Sequence, residues 1–398
     1  MAYKFADRMS GLKASAIREI LKFSAFPDVI PFAAGNPAPE AFPIEEVRRI
    51  SAEIMENEPI LALQYNITEG YTPLRDLLKK RMQTQNCFNA DTDELIVTSG
   101  AQQVMELACK VLCNENDTVI CESPSFIGSL NAFRSLKVNL AGVPLENDGI
   151  DINLLEDTLK REKNVKALYI IPNFQNPTGL TMSLEKRKAV YELAVKYDIL
   201  IIEDDPYREI RFGTRELPSV KSFDRDSRVI YAGSFSKILS PGLRVGYVSA
   251  PKEVIQKMTV CKQVADVHTN IWAQAVCERF TATADLDRHF NALRNIYRKK
   301  SSFMLELADK HFSPSVKYTK PEGGMFVWVT LPDSTDMLAF CRKAVEEYKV
   351  AAVPGTAFTV KETDNCNSFR INFSTPTDEQ IEKGMTVLGQ LTERLGSL

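Results

Sequence analysis

The chain has 398 residues, 44% hydrophobic and 25% charged, with a formal net charge of −3 at pH 7. That length and apolar fraction suit two domains around a large core. The near-neutral balance gives no electrostatic reason to expect a nucleic-acid or membrane partner, and no apolar run reaches the length of a membrane span.

Residues 1–30 are polar and mixed, with one short amphipathic helix predicted over 15–23. Lys4, Arg8, Lys13 and Arg18 alternate with Asp7 and Glu19 and flank no continuous apolar stretch. A secretory signal is therefore not expected; an organellar presequence is the alternative. Pro27, Pro31, Gly35, Pro37, Pro39 and Pro43 mark an extended arm rather than a regular element. Helices are predicted over 44–56 and 73–83, where Pro73 suits a first helical turn.

From residue 93 onward strand and helix alternate. Strands are predicted over 95–98, 118–121, 138–143, 167–171, 199–203, 229–231 and 245–248, with helices over 101–111 and 184–196 among them. This spacing predicts an α/β fold with a mainly parallel central sheet, whose ligands collect beyond the carboxyl ends of the strands. One long helical stretch is predicted over 252–310, leading into a smaller α+β part with strands at 326–329 and 369–373 and helices at 337–348 and 377–395. The expected division is 1–45 for the N-terminal arm and part of the small domain, 46–285 for the large cofactor-binding domain and 286–398 for the small domain. There are no repeats, low-complexity tracts or heptads.

The eight cysteines include no Cys-x-x-Cys pair. Cys109 and Cys113 lie four apart on a predicted helix, with no nearby His to complete a metal set. Small buried hydrophobes in a reducing cytoplasm are the favoured reading, and no metal is expected. None of the three histidines, His268, His289 and His311, sits in a triad or metal pattern.

The chemistry concentrates in Ser234-Phe-Ser236-Lys237-Ile-Leu-Ser-Pro241-Gly242-Leu-Arg244-Val-Gly246, a loop between two predicted strands. Two hydroxyls and a guanidinium suit a phosphate dianion, because Arg donates parallel charge-assisted hydrogen bonds. A lysine beside that positive charge is driven toward its neutral, nucleophilic form. Together they suggest a phosphate-bearing aldehyde held as a Schiff base, which is pyridoxal phosphate; the bland alternative is one solvated lysine among many.

Other strand ends supply candidate contacts, each with a plainer alternative. The Gly100-Ala101-Gln102 turn opens a helix, where free N–H groups attract an anion. Phe126 could stack on a planar ring or simply pack. Asn176, in Asn-Pro-Thr-Gly, could donate to a phenolate oxygen or only form a turn. Asp204, in Glu203-Asp-Asp-Pro206-Tyr207, could keep a pyridine nitrogen protonated or cap a surface loop. Tyr207 could reach the ring oxygen. Arg370, alternating within Ser-Phe-Arg-Ile-Asn-Phe, needs an anion, either an amino acid's α-carboxylate or an internal carboxylate.

In order and spacing, Asn176-Pro-Thr-Gly, Asp204-x-x-Tyr207, Ser234-x-Ser-Lys237, Gly242-x-Arg244-x-Gly and Arg370 resemble the motifs of the pyridoxal-phosphate aminotransferases of class I/II, fold type I. The resemblance covers nearly the whole chain. It implies Lys237 as the Schiff-base lysine and proton shuttle, Asp204 on the pyridine nitrogen, and Asn176 and Tyr207 on the ring oxygen. Phe126 and Pro206 would cover the two ring faces, and Ala101, Gln102, Ser234, Ser236 and Arg244 would hold the phosphate. Tyr65, in Leu-Gln-Tyr-Asn, matches a tyrosine that reaches the neighbouring subunit's phosphate, so a homodimer is implied.

Ala34-Gly35-Asn-Pro-x-Pro-x-x-Phe-Pro and Glu203-Asp-Asp-Pro-Tyr look most like the α-aminoadipate/kynurenine branch. That likeness implies substrate contacts at Gly35, Asn176 and Arg370. Arg18 matches an arginine that meets a distal carboxylate, with a solvated helix residue as its alternative. The expected activity is transfer of an amino group from an L-amino acid of 2-aminoadipate, aromatic or branched-chain type to 2-oxoglutarate. The alternatives are a cysteine-conjugate β-lyase or a non-enzymatic effector-binding module, the latter disfavoured by the lack of a winged-helix segment or basic face.

Overall fold

The computed structural model of the protein describes residues 3–6, 9, 26–332, 335–361 and 364–393. The helix predicted over 15–23 lies outside them. The proline-rich arm runs without regular structure apart from a 3-10 turn at Pro39–Ala41. Helices α1 (Ile44–Asn57), α2 (Pro59–Leu63) and α3 (Thr72–Thr84) follow, the last two with proline in the first turn. There its missing N–H costs no intrahelical bond.

The next elements are β1 (Asp93–Thr98), α4 (Ala101–Leu112), β2 (Thr118–Ser123), α5 (Ile127–Ser135), β3 (Asn139–Glu146) and β4 (Gly149–Ile150). They are followed by α6 (Ile152–Arg161), β5 (Val165–Ile170), α7 (Leu184–Lys196), β6 (Leu200–Asp204), β7 (Val229–Ser234) and β8 (Gly246–Pro251). The strands form one eight-stranded sheet in the order β1-β8-β7-β6-β5-β2-β3-β4. Strands β7, β6, β5, β2 and β3 are parallel, while β8 and β4 run against their neighbours.

The continuous apolar runs of these strands follow from burial on both faces. Ile120, Ile201 and Val229 pack with Leu155 of α6 and Val190 of α7. Their chain neighbours Val119, Ile202 and Ile230 turn to the opposite face and pack with Val104 and Leu107 of α4. The parallel set brings the carboxyl ends of β2, β5, β6 and β7 to one edge. Because β8 opposes both of its neighbours, β1 also ends there.

The stretch predicted as one helix over 252–310 is three: α8 (Lys252–Asp266), α9 (Ile271–Thr283) and α10 (Leu286–His311). Val267 turns the chain with φ 63°, and the side chains of Asn270 and Asp285 accept from Ala273 N and Arg288 N at the next two helix starts. Both are strong N-cap residues, and each ends the preceding helical register.

A second, antiparallel sheet has the order β11-β12-β10-β9, built from β9 (Lys317–Tyr318), β10 (Phe326–Thr330), β11 (Val353–Pro354) and β12 (Ser368–Asn372). It is accompanied by α11 (Met337–Tyr348) and α12 (Asp378–Glu393). In its register Arg370 lies opposite Trp328 on one side and Val353 on the other. Phe326, Phe369 and Ile371 join the same core cluster as Ile202 and Val248 of the first sheet. Among the described residues, no helix is long and apolar enough to cross a membrane.

Candidate active site

A cavity of ≈ 490 Å³ opens where the strand ends of the large sheet meet β10–β12. At one part of it α4 begins at Ala101 and Gln102, after a Gly100 that has no side chain to cap the helix. The first N–H groups of a helix have no intrahelical acceptor, so they favour an anion. Arg244 adopts a left-handed conformation (φ 54°, ψ 43°), and its guanidinium reaches back to Ser99 O at 3.3 Å. Among the described residues no carboxylate pairs with it. Ser234 Oγ accepts from Ser236 N at 3.1 Å, and both serines line the cavity.

The acidic run at the end of β6 separates into three environments. Glu203 accepts from Val220 N and Lys221 N, both at 2.8 Å. Asp205 accepts from Asn173 Nδ2 at 2.7 Å and Tyr231 Oη at 3.1 Å. Asp204 lines the cavity: its Oδ2 accepts from Tyr169 Oη at 2.9 Å, while its Oδ1 is buried without a hydrogen-bond partner. Ser129 Oγ donates to the same Tyr169 oxygen at 2.8 Å, so a buried relay ends on this carboxylate. Burial pushes the Asp204 carboxyl up to about 7, against the lowering effect of Tyr169 and with Asp205 adding to the rise.

Phe126, Asn176, Pro206 and Tyr207 also line the cavity, with Asn176 Nδ2 3.5 Å from Tyr207 Oη. Lys237 Nζ donates to Gly35 O at 2.7 Å. Burial, then the charges of Arg370 and Arg244, lower this amine to about 8, so roughly a tenth of it is neutral at pH 7, far more than for an ordinary lysine. Arg370 donates to Asn176 Oδ1 at 2.8 Å and Ala33 O at 3.0 Å, and its Nε is buried without a partner. Its guanidinium lies 4.2 Å and 5.0 Å from the ring centroids of Phe326 and Phe358. Among the described residues it has no carboxylate partner, so the internal ion pair weighed for it is not found there.

A lysine with a depressed proton affinity, an unpartnered buried carboxylate oxygen and two guanidiniums without carboxylates thus share one cavity. The family model for class I and II aminotransferases matches residues 27–388. The chain belongs to this family. It is 39% identical over 390 residues to aromatic-amino-acid aminotransferase 1 of Thermococcus litoralis, spanning 97% of this chain and 93% of that one. Pyrococcus horikoshii kynurenine aminotransferase, solved in complex with PMP, KYN and KYA, superposes with a TM-score of 0.94 at 38% identity, over 98% of this chain and 97% of that one. The α-aminoadipate aminotransferase of Thermus thermophilus, complexed with N-(5'-phosphopyridoxyl)-L-leucine, superposes with a TM-score of 0.90 at 37% identity, over 99% and 98%.

The protein is a fold-type I aminotransferase, and pyridoxal phosphate is its cofactor. Its residues fit that group. The cavity offers cationic and N–H donors for a phosphate, an unpartnered carboxylate oxygen for a ring nitrogen and a neutralisable amine for an aldehyde. Of the residues expected at the site, Tyr65 does not line this cavity; it is 81% exposed and meets His268 edge-on, with centroids 5.8 Å apart. Arg18 lies outside the described residues.

Sequence reasoning about this aminotransferase missed Tyr169, Ser129, Phe326 and Phe358. Tyr169 reads as one more apolar residue in a buried strand; its available signal was a polar tip among aliphatics on a strand predicted close to that of Asp204. Phe326 and Phe358 carried no signal distinguishing them from core aromatics.

Proposed function

We propose that the protein transfers the amino group of an L-amino acid of 2-aminoadipate, aromatic or branched-chain type to 2-oxoglutarate, with donor and acceptor using one site in turn. The observation that carries this reading is the Lys237 amine and the unpaired Arg370 Nε in the same buried cavity. The named substrates of the relatives, and the leucine adduct in one of them, support the donor classes.

Bound pyridoxal phosphate supplies an aldehyde that condenses with amines and a ring that withdraws electrons from the carbon being deprotonated. In this reading Ala101, Gln102, Ser234, Ser236 and Arg244 hold its phosphate, and Phe126 and Pro206 cover its ring. Asp204 would hold the ring nitrogen as a carboxylate, and Asn176 and Tyr207 would donate to the ring oxygen. Arg370 and Asn176 grip the substrate's α-carboxylate, with Gly35 beside it and Arg18 available to a distal carboxylate. Held there, the substrate presents its α-proton to Lys237 Nζ, which takes it as general base. Catalytic roles thus fall to Lys237, Asp204 and Tyr207.

A homodimer is part of the proposal, with Tyr65 crossing to the partner's site. Exposed Ile60, Leu63, Tyr65 and Ile67 form a cluster in sequence that supports it. So is the division into 1–45, 46–285 and 286–398. A cytoplasmic location is supported by eight cysteines, all free. Steady-state rates across a panel of L-amino acids with 2-oxoglutarate test the reading. Glutamate formation with a bulky donor is expected; absence of glutamate with every donor would refute it.

A further inference from the structure

A second cavity, of ≈ 570 Å³, shares no lining residue with the first. Its walls include Arg208, Arg211 and Arg215 from the segment after Tyr207, Arg298 from α10, and Thr181 from the segment between β5 and α7. The local carboxylates are oversubscribed. Glu216 serves both Arg208 (3.0 Å) and Arg211 (3.1 Å), and Glu209 is divided among Arg81, Arg211 and Arg294. Asp205 adds a 3.5 Å contact to Arg208 but is engaged elsewhere. Arg215 and Arg298 are exposed and have no carboxylate partner among the described residues, Arg298 donating only to the neutral Asn295 Oδ1 and Phe212 O. The wall adds one acid without a cation, Glu322.

Two donors here are unsatisfied. Arg211 Nε and Thr181 Oγ1 are buried without a hydrogen-bond partner. The lining of the first cavity likewise holds two buried polar atoms without a partner, the acceptor Asp204 Oδ1 and the donor Arg370 Nε. A buried donor without an acceptor is costly, and small side-chain movements toward a bound oxygen would remove the cost. Guanidiniums in excess of carboxylates, beside orphaned donors, select a ligand rich in acceptor oxygens and negative charge.

We propose that this cavity is a second anion site, taking a small doubly charged oxyanion, either phosphate or a dicarboxylate. Arg298 and Arg215 supply its uncompensated charge, and Arg211 and Thr181 supply directional donors. The assignment does not depend on how the first cavity binds its substrate.

Inorganic phosphate is the direct probe, because in the holoenzyme the phosphate cradle of the first cavity is filled by the cofactor. Holoenzyme in phosphate-free buffer, titrated calorimetrically, is expected to bind one phosphate per chain saturably. Arg298→Gln is expected to weaken binding roughly tenfold while keeping turnover, and Arg211→Gln to weaken it at least as much. Arg370→Lys is expected to leave it unchanged. Succinate titrated into the Arg370→Lys holoenzyme, and competed against phosphate, distinguishes the two ligand sources: the tighter binder names the class. Saturable binding of neither anion, or equal phosphate affinity in Arg298→Gln and wild type, overturns the proposal.

Discussion

Arg370 and Asn176, 194 positions apart, are joined by a 2.8 Å hydrogen bond across the seam between the two sheets. The guanidinium lies against the rings of Phe326 and Phe358, and its buried Nε has no hydrogen-bond partner, which leaves a donor for a carboxylate. Lysine retains charge but loses the planar fork. Arg370→Lys should therefore lower kcat/KM for every amino donor by roughly 2–3 kcal/mol, about 30- to 150-fold, with the cofactor's absorbance intact. An unchanged kcat/KM would remove Arg370 from substrate binding.

Asp204 carries a linked stability cost. An unfolded Asp loses its proton near its model value of 3.8, while the buried carboxyl holds its proton up to about 7. Between those values the unfolded state binds fewer protons, so cofactor-free protein loses stability as pH rises through that window. Above about 7 both states are ionised and the cost is constant. Asp204→Asn should thus match wild type near pH 4 and exceed it above pH 7, by on the order of 2–4 kcal/mol at full burial. Urea midpoints at the two pH values measure this, and a pH-independent difference would contradict it.

Tyr169 acts through Asp204. Its hydroxyl is the donor that favours the ionised carboxylate, so Tyr169→Phe should raise the carboxyl further above about 7. The expected result is a lower kcat at pH 7, by roughly tenfold, recovering as pH increases, with little change in KM. Carboxyl titration by infrared spectroscopy in cofactor-free protein provides the second readout. A uniform, pH-independent loss would mark a merely structural role.

Much of this site was legible because its chemistry is local. Ser234, Ser236, Lys237 and Arg244 fall within one loop, and Asp204 is an acid at the end of an aliphatic strand, so neighbours in sequence are enough. Tyr169 needed the strand order, since it meets Asp204 only because β5 pairs with β6. Phe326 and Phe358 needed the packing of the second sheet around Arg370. The break of the predicted 252–310 helix had its cap residues, Asn270 and Asp285, in plain view, but the helical composition on either side obscured them.

Gly100 marks a backbone constraint on the phosphate end of the cavity. It has φ 81°, and a Cβ there would collide with the Arg244 guanidinium. Gly100→Ala should cost about 1–3 kcal/mol in backbone strain and displace Arg244, weakening cofactor affinity roughly tenfold or more. Equilibrium titration of cofactor-free protein with pyridoxal phosphate measures it, and wild-type affinity would contradict the assignment of Arg244 to the phosphate.

The most direct test is covalent trapping at Lys237. Protein incubated with pyridoxal phosphate, reduced with borohydride and digested should carry the added mass on the Lys237 peptide alone. The trapping rate should climb with pH and level off above about 8, as the amine loses its proton. Lys237→Ala should gain no mass and show no turnover. An adduct on another lysine, or undiminished turnover in Lys237→Ala, would contradict the account.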